Sequence, residues 1–150
     1  VYSTQRTNNR ATPVVMNKAN ELGGRVRVAH GVYEASSLAS GDVIEMFILP
    51  AGARLLEGSL AHDALGSSTT LSVGHAAYKN ADGTAVSAGA AAYKAAAAST
   101  SAQKVDIIAT LALGSGTELD ADKDGVTVTA TMGGAAGTGT IEVTIKYVVD

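Results

Sequence analysis

The last third of the chain constrains the fold most, because its apolar residues recur at every second position. Val126, Val128, Ala130 and Met132 alternate with Thr127, Thr129 and Thr131. Ile141, Val143, Ile145, Tyr147 and Val149 alternate with Glu142, Thr144, Lys146 and Val148. A period of two sorts side chains onto the opposite faces of a pleated strand, which a helix cannot do. Val105, Ile107, Ala109, Leu111 and Leu113 follow the same rule against Asp106, Ile108, Thr110 and Ala112. The glycine-rich link from Gly133 to Gly139 predicts a hairpin with a long flexible tip between the last two strands.

The pattern extends upstream. Val26, Val28, His30 and Val32 share one parity, opposite Arg25, Arg27 and Tyr33, which predicts a half-buried strand with the valines inward. Val43 to Leu49 is apolar on both faces apart from Glu45 and reads as a central strand. Residues 53–62 and 69–78 supply two more, separated by the turn chemistry of Gly66-Ser67-Ser68. Pro50, Gly52 and Gly58 work against a helix there. Asn80-Ala81-Asp82-Gly83 reads as a turn. Residues 85–98, VSAGAAAYKAAAAS, are the one helical expectation, since alanine has the highest helix propensity. Seven or eight short strands punctuated by turns predict an all-β chain, a β-sandwich of the jelly-roll kind, carrying one short Ala-rich helix. No repeat of 20–50 residues points to a solenoid or propeller.

At 150 residues the chain fits one domain. Apolar residues make up 46%, yet there is one Phe and no Trp, so the core must be built from Val, Leu, Ile and Ala. The absence of cysteine removes disulfides, thiolate metal sites and thiol nucleophiles. No apolar run reaches the roughly 18 residues of a membrane span, and no charged-then-apolar leader is seen, so neither membrane nor secretory targeting is expected.

Charge is unevenly placed. Residues 1–27 carry Arg6, Arg10, Lys18, Arg25 and Arg27 against Glu21 alone, a balance of +4. The remainder holds six bases and thirteen acids, −7, which together give the chain its −3. A basic leading segment on an acidic body marks an interaction arm. Residues 1–24 lack amphipathic periodicity, and Asn8-Asn9, Pro13 and Gly23-Gly24 interrupt regular structure. They predict an extended N-terminal arm preceding a β-sandwich domain at 25–150. Tyr2, Val14, Val15 and Met16 give that arm more apolar surface than solvation alone requires.

Candidate chemistry is sparse. Asp120-Ala121-Asp122-Lys123-Asp124-Gly125 has the alternating carboxylates of a calcium loop, but Thr131 stands where an EF-hand places its bidentate Glu. The flanks also read as strand, which excludes an EF-hand and leaves a looser loop site or an acidic turn. His30, His62 and His75 fall on the more apolar parity of their strands, so a converging triad is conceivable, but no metal-ligand spacing accompanies them. No G-x-S-x-G elbow occurs, and His62-Asp63 is no dyad, since strand neighbours point to opposite faces. The glycines of 133–139 join strands and do not cradle a phosphate. Arg6, Arg10 and Lys18 lack interleaved aromatics on an acidic chain, so nucleic acid is not an expected partner. No enzyme activity, cofactor or metal is expected.

Two stretches carry a resemblance. Leu49 to Gly74, LPAGARLLEGSLAHDALGSSTTLSVG, and Thr127 to Asp150, TVTATMGGAAGTGTIEVTIKYVVD, resemble small virion proteins of tailed bacteriophages, the capsid decoration or cement proteins. The likeness spans roughly residues 25–150, about one domain. It implies a β-sandwich, often a jelly roll, on the outer surface of an icosahedral capsid, bound across neighbouring major capsid protein subunits. It also implies a homo-oligomer, a trimer in preference to a dimer. On this reading Tyr2, Arg6, Arg10, Val14, Val15 and Met16 are the capsid-binding residues. The alternative is a tail-associated or adhesin-like carbohydrate-binding module on the same fold.

Overall fold

A computed structural model describes residues 1–150. One helix, α1 (Thr4–Arg10), precedes the strands β1 (Val26–Leu38), β2 (Val43–Leu49), β3 (Arg54–His62), β4 (Thr69–His75), β5 (Tyr78–Lys79), β6 (Ala85–Val86), β7 (Gly89–Ala98) and β8 (Gln103–Ile107). A single 3-10 turn, Leu111–Leu113, leads to β9 (Val126–Gly134) and β10 (Gly137–Val148). The long strands form two antiparallel four-stranded sheets, β1-β10-β3-β8 and β2-β9-β4-β7, and β5 with β6 makes a small separate ribbon.

The pairing has a simple rule. β1 pairs with β10, β2 with β9, β3 with β8 and β4 with β7, so the long strands match from the two chain ends inward. The result is one long antiparallel ribbon rolled into a barrel-like sandwich, the jelly roll. Successive long strands change sheet everywhere except at β4 to β7.

This winding corrects the expected terminal hairpin. β9 and β10 lie in different sheets, joined only by Ala135 and Ala136, so Gly133–Gly139 turns the chain from one layer to the other. Gly134 takes a φ of 75°, and a Cβ there would run into the Ser68 carbonyl. The alternation itself holds as far as Ile145; beyond it Val148 is buried and Tyr147 and Val149 only partly so. Val126, Val128, Ala130, Met132, Ile141, Val143 and Ile145 are all buried, facing Leu49, Leu55, Leu60 and Leu71 across the sandwich. At about 1.5–3 kcal/mol per buried aliphatic side chain, this layer supplies the main driving force.

Four other expectations give way, the first being that β2, read from its apolar run as a central strand, stands at the edge of its sheet with Val43 and Ile48 exposed. The alanine-rich segment is strand, not helix: β7 runs along the edge of β4. Propensity is a weak bias that tertiary pairing overrides, and the backbones are too close to admit a helix. A Cβ on Gly74 would collide with the Gly89 carbonyl. Tyr93 is the one large side chain the segment inserts into the core.

The strand expected over 105–113 stops at Ile107. Ile108 takes a φ of 57°, and Thr110 caps the short turn that follows by accepting from the Leu113 amide at 3.3 Å.

The parity of β1 is reversed. Val26, Val28, His30 and Val32 face outward, while Ala29, Gly31 and Ala35 lie opposite Ile145, Val143 and Gly139 on the core side. Small residues face inward because β2 passes directly beneath: a Cβ on Gly31 would stand 2.8 Å from the Met46 carbonyl and 3.1 Å from the Phe47 ring.

Candidate functional site

The basic leading segment folds into a knob and not into an extended arm. Ser3 caps α1, accepting from the Arg6 amide at 3.3 Å, and the helix then sets Arg6 and Arg10 one turn apart on one face. Their guanidinium carbons lie 6.0 and 4.9 Å from the centre of the Tyr2 ring, close enough for a cation–π stack. The chain after Arg10 doubles back, and the Val15 amide donates to the Asn8 carbonyl at 3.2 Å. Asn17 stitches the knob: its Nδ2 donates to the Gln5 carbonyl at 3.2 Å and to Asn9 Oδ1 at 2.7 Å, and its Oδ1 accepts from Asn8 at 3.0 Å. The asparagines that break periodic structure in the sequence are the side chains that close this fold.

Residues 18–24 fasten the knob to the sandwich. Asn20 is buried; its amide donates to Asp150 at 2.7 Å and its side chain to the Gly52 carbonyl at 3.2 Å. Lys18 reaches Glu118 at 2.7 Å, and Arg54 reaches the same carboxylate at 3.0 Å and Glu21 at 3.6 Å. The hydrogen bond from Lys18 is the largest influence holding the Glu118 carboxyl below its ordinary value, and that same bond raises Lys18. Gly24 lies against Val148 and the Ala19 carbonyl, which covers the end of β10.

Of the six sequence-chosen residues, the structure gathers Tyr2, Arg6 and Arg10 into one stack. Val14, Val15 and Met16 lie exposed on the returning segment, Met16 at 86%. Sequence reasoning missed the anchors Lys18, Asn20 and Glu21, whose partners in the sandwich, Glu118, Asp150, Gly52 and Arg54, are all distant in the chain. It also missed the outward valine row of β1. The signal available was the pairing of small residues, Ala29 and Gly31, on the opposite parity.

The other candidates disperse. His30 bonds the Thr144 hydroxyl at 2.9 Å on an outer face. His62 Nδ1 meets the Asp63 main-chain carbonyl at 2.8 Å, and His75 meets that of Ala76 at 3.0 Å beside the rings of Tyr78 and Tyr93. No three His, Asp or Glu side chains converge as metal ligands would. In the acidic loop, Asp120 accepts from the Ala81 amide and Asp122 from the Asp124 amide, while Asp124 pairs with Lys123 at 2.6 Å. These carboxylates close turns. Asp122 and Asp124 border an open groove of about 430 Å³ between Tyr78, Lys79, Val86 and Thr127.

No protein-family model matches the chain, and no curated protein matches its sequence. Solved structures do match. A chain of the cyanophage Pam1 capsid asymmetric unit superposes with a TM-score of 0.63 at 20% identity, covering 91% of this chain and 93% of that one. A chain of the Ralstonia phage GP4 capsid gives 0.65 at 23% identity, covering 85% and 86%. A chain of the Helicobacter pylori bacteriophage KHP30 capsid gives 0.54 at 14% identity, covering 83% and 87%. The three share this chain's fold.

Proposed function

We propose that this chain is a phage virion structural protein that decorates and cements an icosahedral capsid. Its jelly roll sits on the outer surface, and its knob binds across neighbouring major capsid protein subunits. The observation that carries the reading is the near end-to-end match in fold to whole chains of three phage capsids. Those chains are covered almost completely, so the likeness is to free-standing small components and not to one lobe of a larger subunit. A core closed with aliphatic side chains, and histidines bonded to main-chain carbonyls or hydroxyls, supports a scaffold and not a catalyst.

On this reading Tyr2, Arg6, Arg10, Val14, Val15 and Met16 form the contact. The guanidinium pair has no acid within the chain to neutralise it and suits a carboxylate-bearing capsid surface. The exposed apolar residues contribute about 25 cal/mol for each Å² they bury. Because the knob is already folded and pinned at Asn20, little ordering entropy opposes docking. Repetition over a symmetric shell multiplies modest contacts into tight attachment.

The test is saturation binding to undecorated capsids, comparing the full chain with one lacking residues 1–16 but keeping the anchors from Lys18 onward. Saturable binding that collapses on truncation supports the reading. Loss of binding with both proteins removes it and gives precedence to a tail-associated or glycan-binding role.

A further inference from the structure

We propose that two copies of this chain pair antiparallel along β1, edge to edge, about a two-fold axis at His30. The inference does not depend on the capsid reading.

β1 differs from the other three sheet edges. β8 spans five residues, and β2 and β7 each carry irregularities in register, at Glu45/Phe47 and at Leu71/Val73 and Val73/His75. β1 has one irregularity, between Ala35 and Leu38 near its end; from Val26 to Ala35 it pairs with β10 in unbroken register, and its other side has no strand partner. Natural sheets blunt such edges with charges, prolines or bulges; a long regular one with an apolar row is a pairing site. Val26, Val28 and Val32 present that row, each more than half exposed.

Charge selects the occupant and its direction. Arg25 and Arg27 stand at the start of β1 without a carboxylate partner, and the knob with Arg6 and Arg10 is fastened beside Asp150 at the same end of the sandwich. Glu34 and Asp63 both accept from Thr140 at the other end, and no lysine or arginine pairs with them; Glu142 lies nearer the middle of the strand, 3.8 Å from His30. A second copy laid antiparallel sets each basic end against an acidic one, whereas a parallel copy would set like against like. With the axis at His30, Val28 of one copy faces Val32 of the other, and Val26 faces Glu34. The two four-stranded sheets become one continuous sheet of eight.

The test is sedimentation velocity of the full chain over a concentration series, with Val26→Lys and Val28→Lys. Both valines are exposed on one face, so folding should not separate the variants. We expect a monomer–dimer equilibrium that weakens with added salt. Val28→Lys, facing Val32, should weaken it about a hundredfold, each change being counted twice at the axis. Val26→Lys, facing Glu34, should tighten it about threefold, and adding Glu34→Ala should abolish that gain. A monomer at all concentrations, a trimer, or equal effects of the two lysines would overturn the proposal.

Discussion

Gly31 of β1 lies over the main-chain carbonyl of Met46 in β2, so close that a Cβ there would stand 2.8 Å away. This single approach explains why the valines of β1 face outward. Where a strand crosses the corner of the sandwich at that distance only small residues fit beneath it, and Ala29, Gly31 and Ala35 meet the requirement, while Tyr33 on the same parity stays 40% exposed. Gly31→Ala should therefore destabilise the protein by about 1–3 kcal/mol, the usual cost of overpacking. The readout is the midpoint of denaturant unfolding. Val28→Ala, on the outward face of the same strand, should move the midpoint by no more than about 0.5 kcal/mol. Equal effects would mean the parity has been assigned the wrong way.

The comparison shows where sequence is a good guide. Strict alternation in β9 and β10 reports burial directly, because both strands lie inside their sheets with neighbours on either side. On the edge strand β1 the same alternation misleads. There the apolar residues lie on the outward face, and the inward face is small because of Met46. Strand pairing was illegible for a different reason: consecutive strands do not pair in a rolled ribbon, so local turn chemistry at Gly133–Gly139 could not reveal that β10 joins β1 and β3. At the candidate site, composition and charge single out Tyr2, Arg6 and Arg10. Their common face required a helix capped by Ser3, and asparagines obscured that helix by looking like breakers.

The alanine-rich segment offers a direct test of context against propensity. Ala95 is exposed on β7. Threonine is favoured in strands and disfavoured in helices, each on a scale of up to about 1 kcal/mol. Ala95→Thr should leave thermal stability unchanged or raise it. A fall in melting temperature together with a gain of helical signal in the parent's circular dichroism would return the segment to a helix.

Tyr93 carries a buried hydroxyl without a hydrogen-bond partner. Burial is the main cause that pushes its ionisation above the usual 10.0. An unpartnered buried hydroxyl costs about 1–3 kcal/mol, so Tyr93→Phe should be neutral or stabilising by up to that amount. The pH dependence has a definite sign. A raised folded-state value favours the neutral phenol, so its contribution is intact below pH 10 and is lost as the pH rises above it, where the unfolded chain ionises first. The Phe variant should lose less stability than the parent between pH 9 and 11, measured by denaturant midpoints. A strongly destabilised variant would show that the hydroxyl has a partner in solution.

Glu118 joins two cations from different parts of the chain, Lys18 of the N-terminal segment and Arg54 of β3. Its folded-state ionisation lies below the ordinary 4.5, first because Lys18 donates to it. A depressed carboxyl stabilises the folded arrangement above its unfolded value and loses that contribution as the pH falls through the folded one. The consequence is local, because the carboxylate is near the surface and the network ties down only residues that precede β1. Lowering the pH below the carboxylate range should therefore speed amide hydrogen exchange in residues 4–21 while β9 and β10 remain protected. Glu118→Gln should reproduce that selective loosening at neutral pH, and high salt should do so in part, since an exposed pair is screened. Asn20 also bonds Glu118, but its contacts with Asp150 and the Gly52 carbonyl remain in the Gln variant, so there the knob should loosen without detaching. Uniform loss of protection through the sandwich would instead make Glu118 part of the fold's global stability. Unchanged exchange in residues 4–21 would leave Asn20 as the sole anchor of the knob.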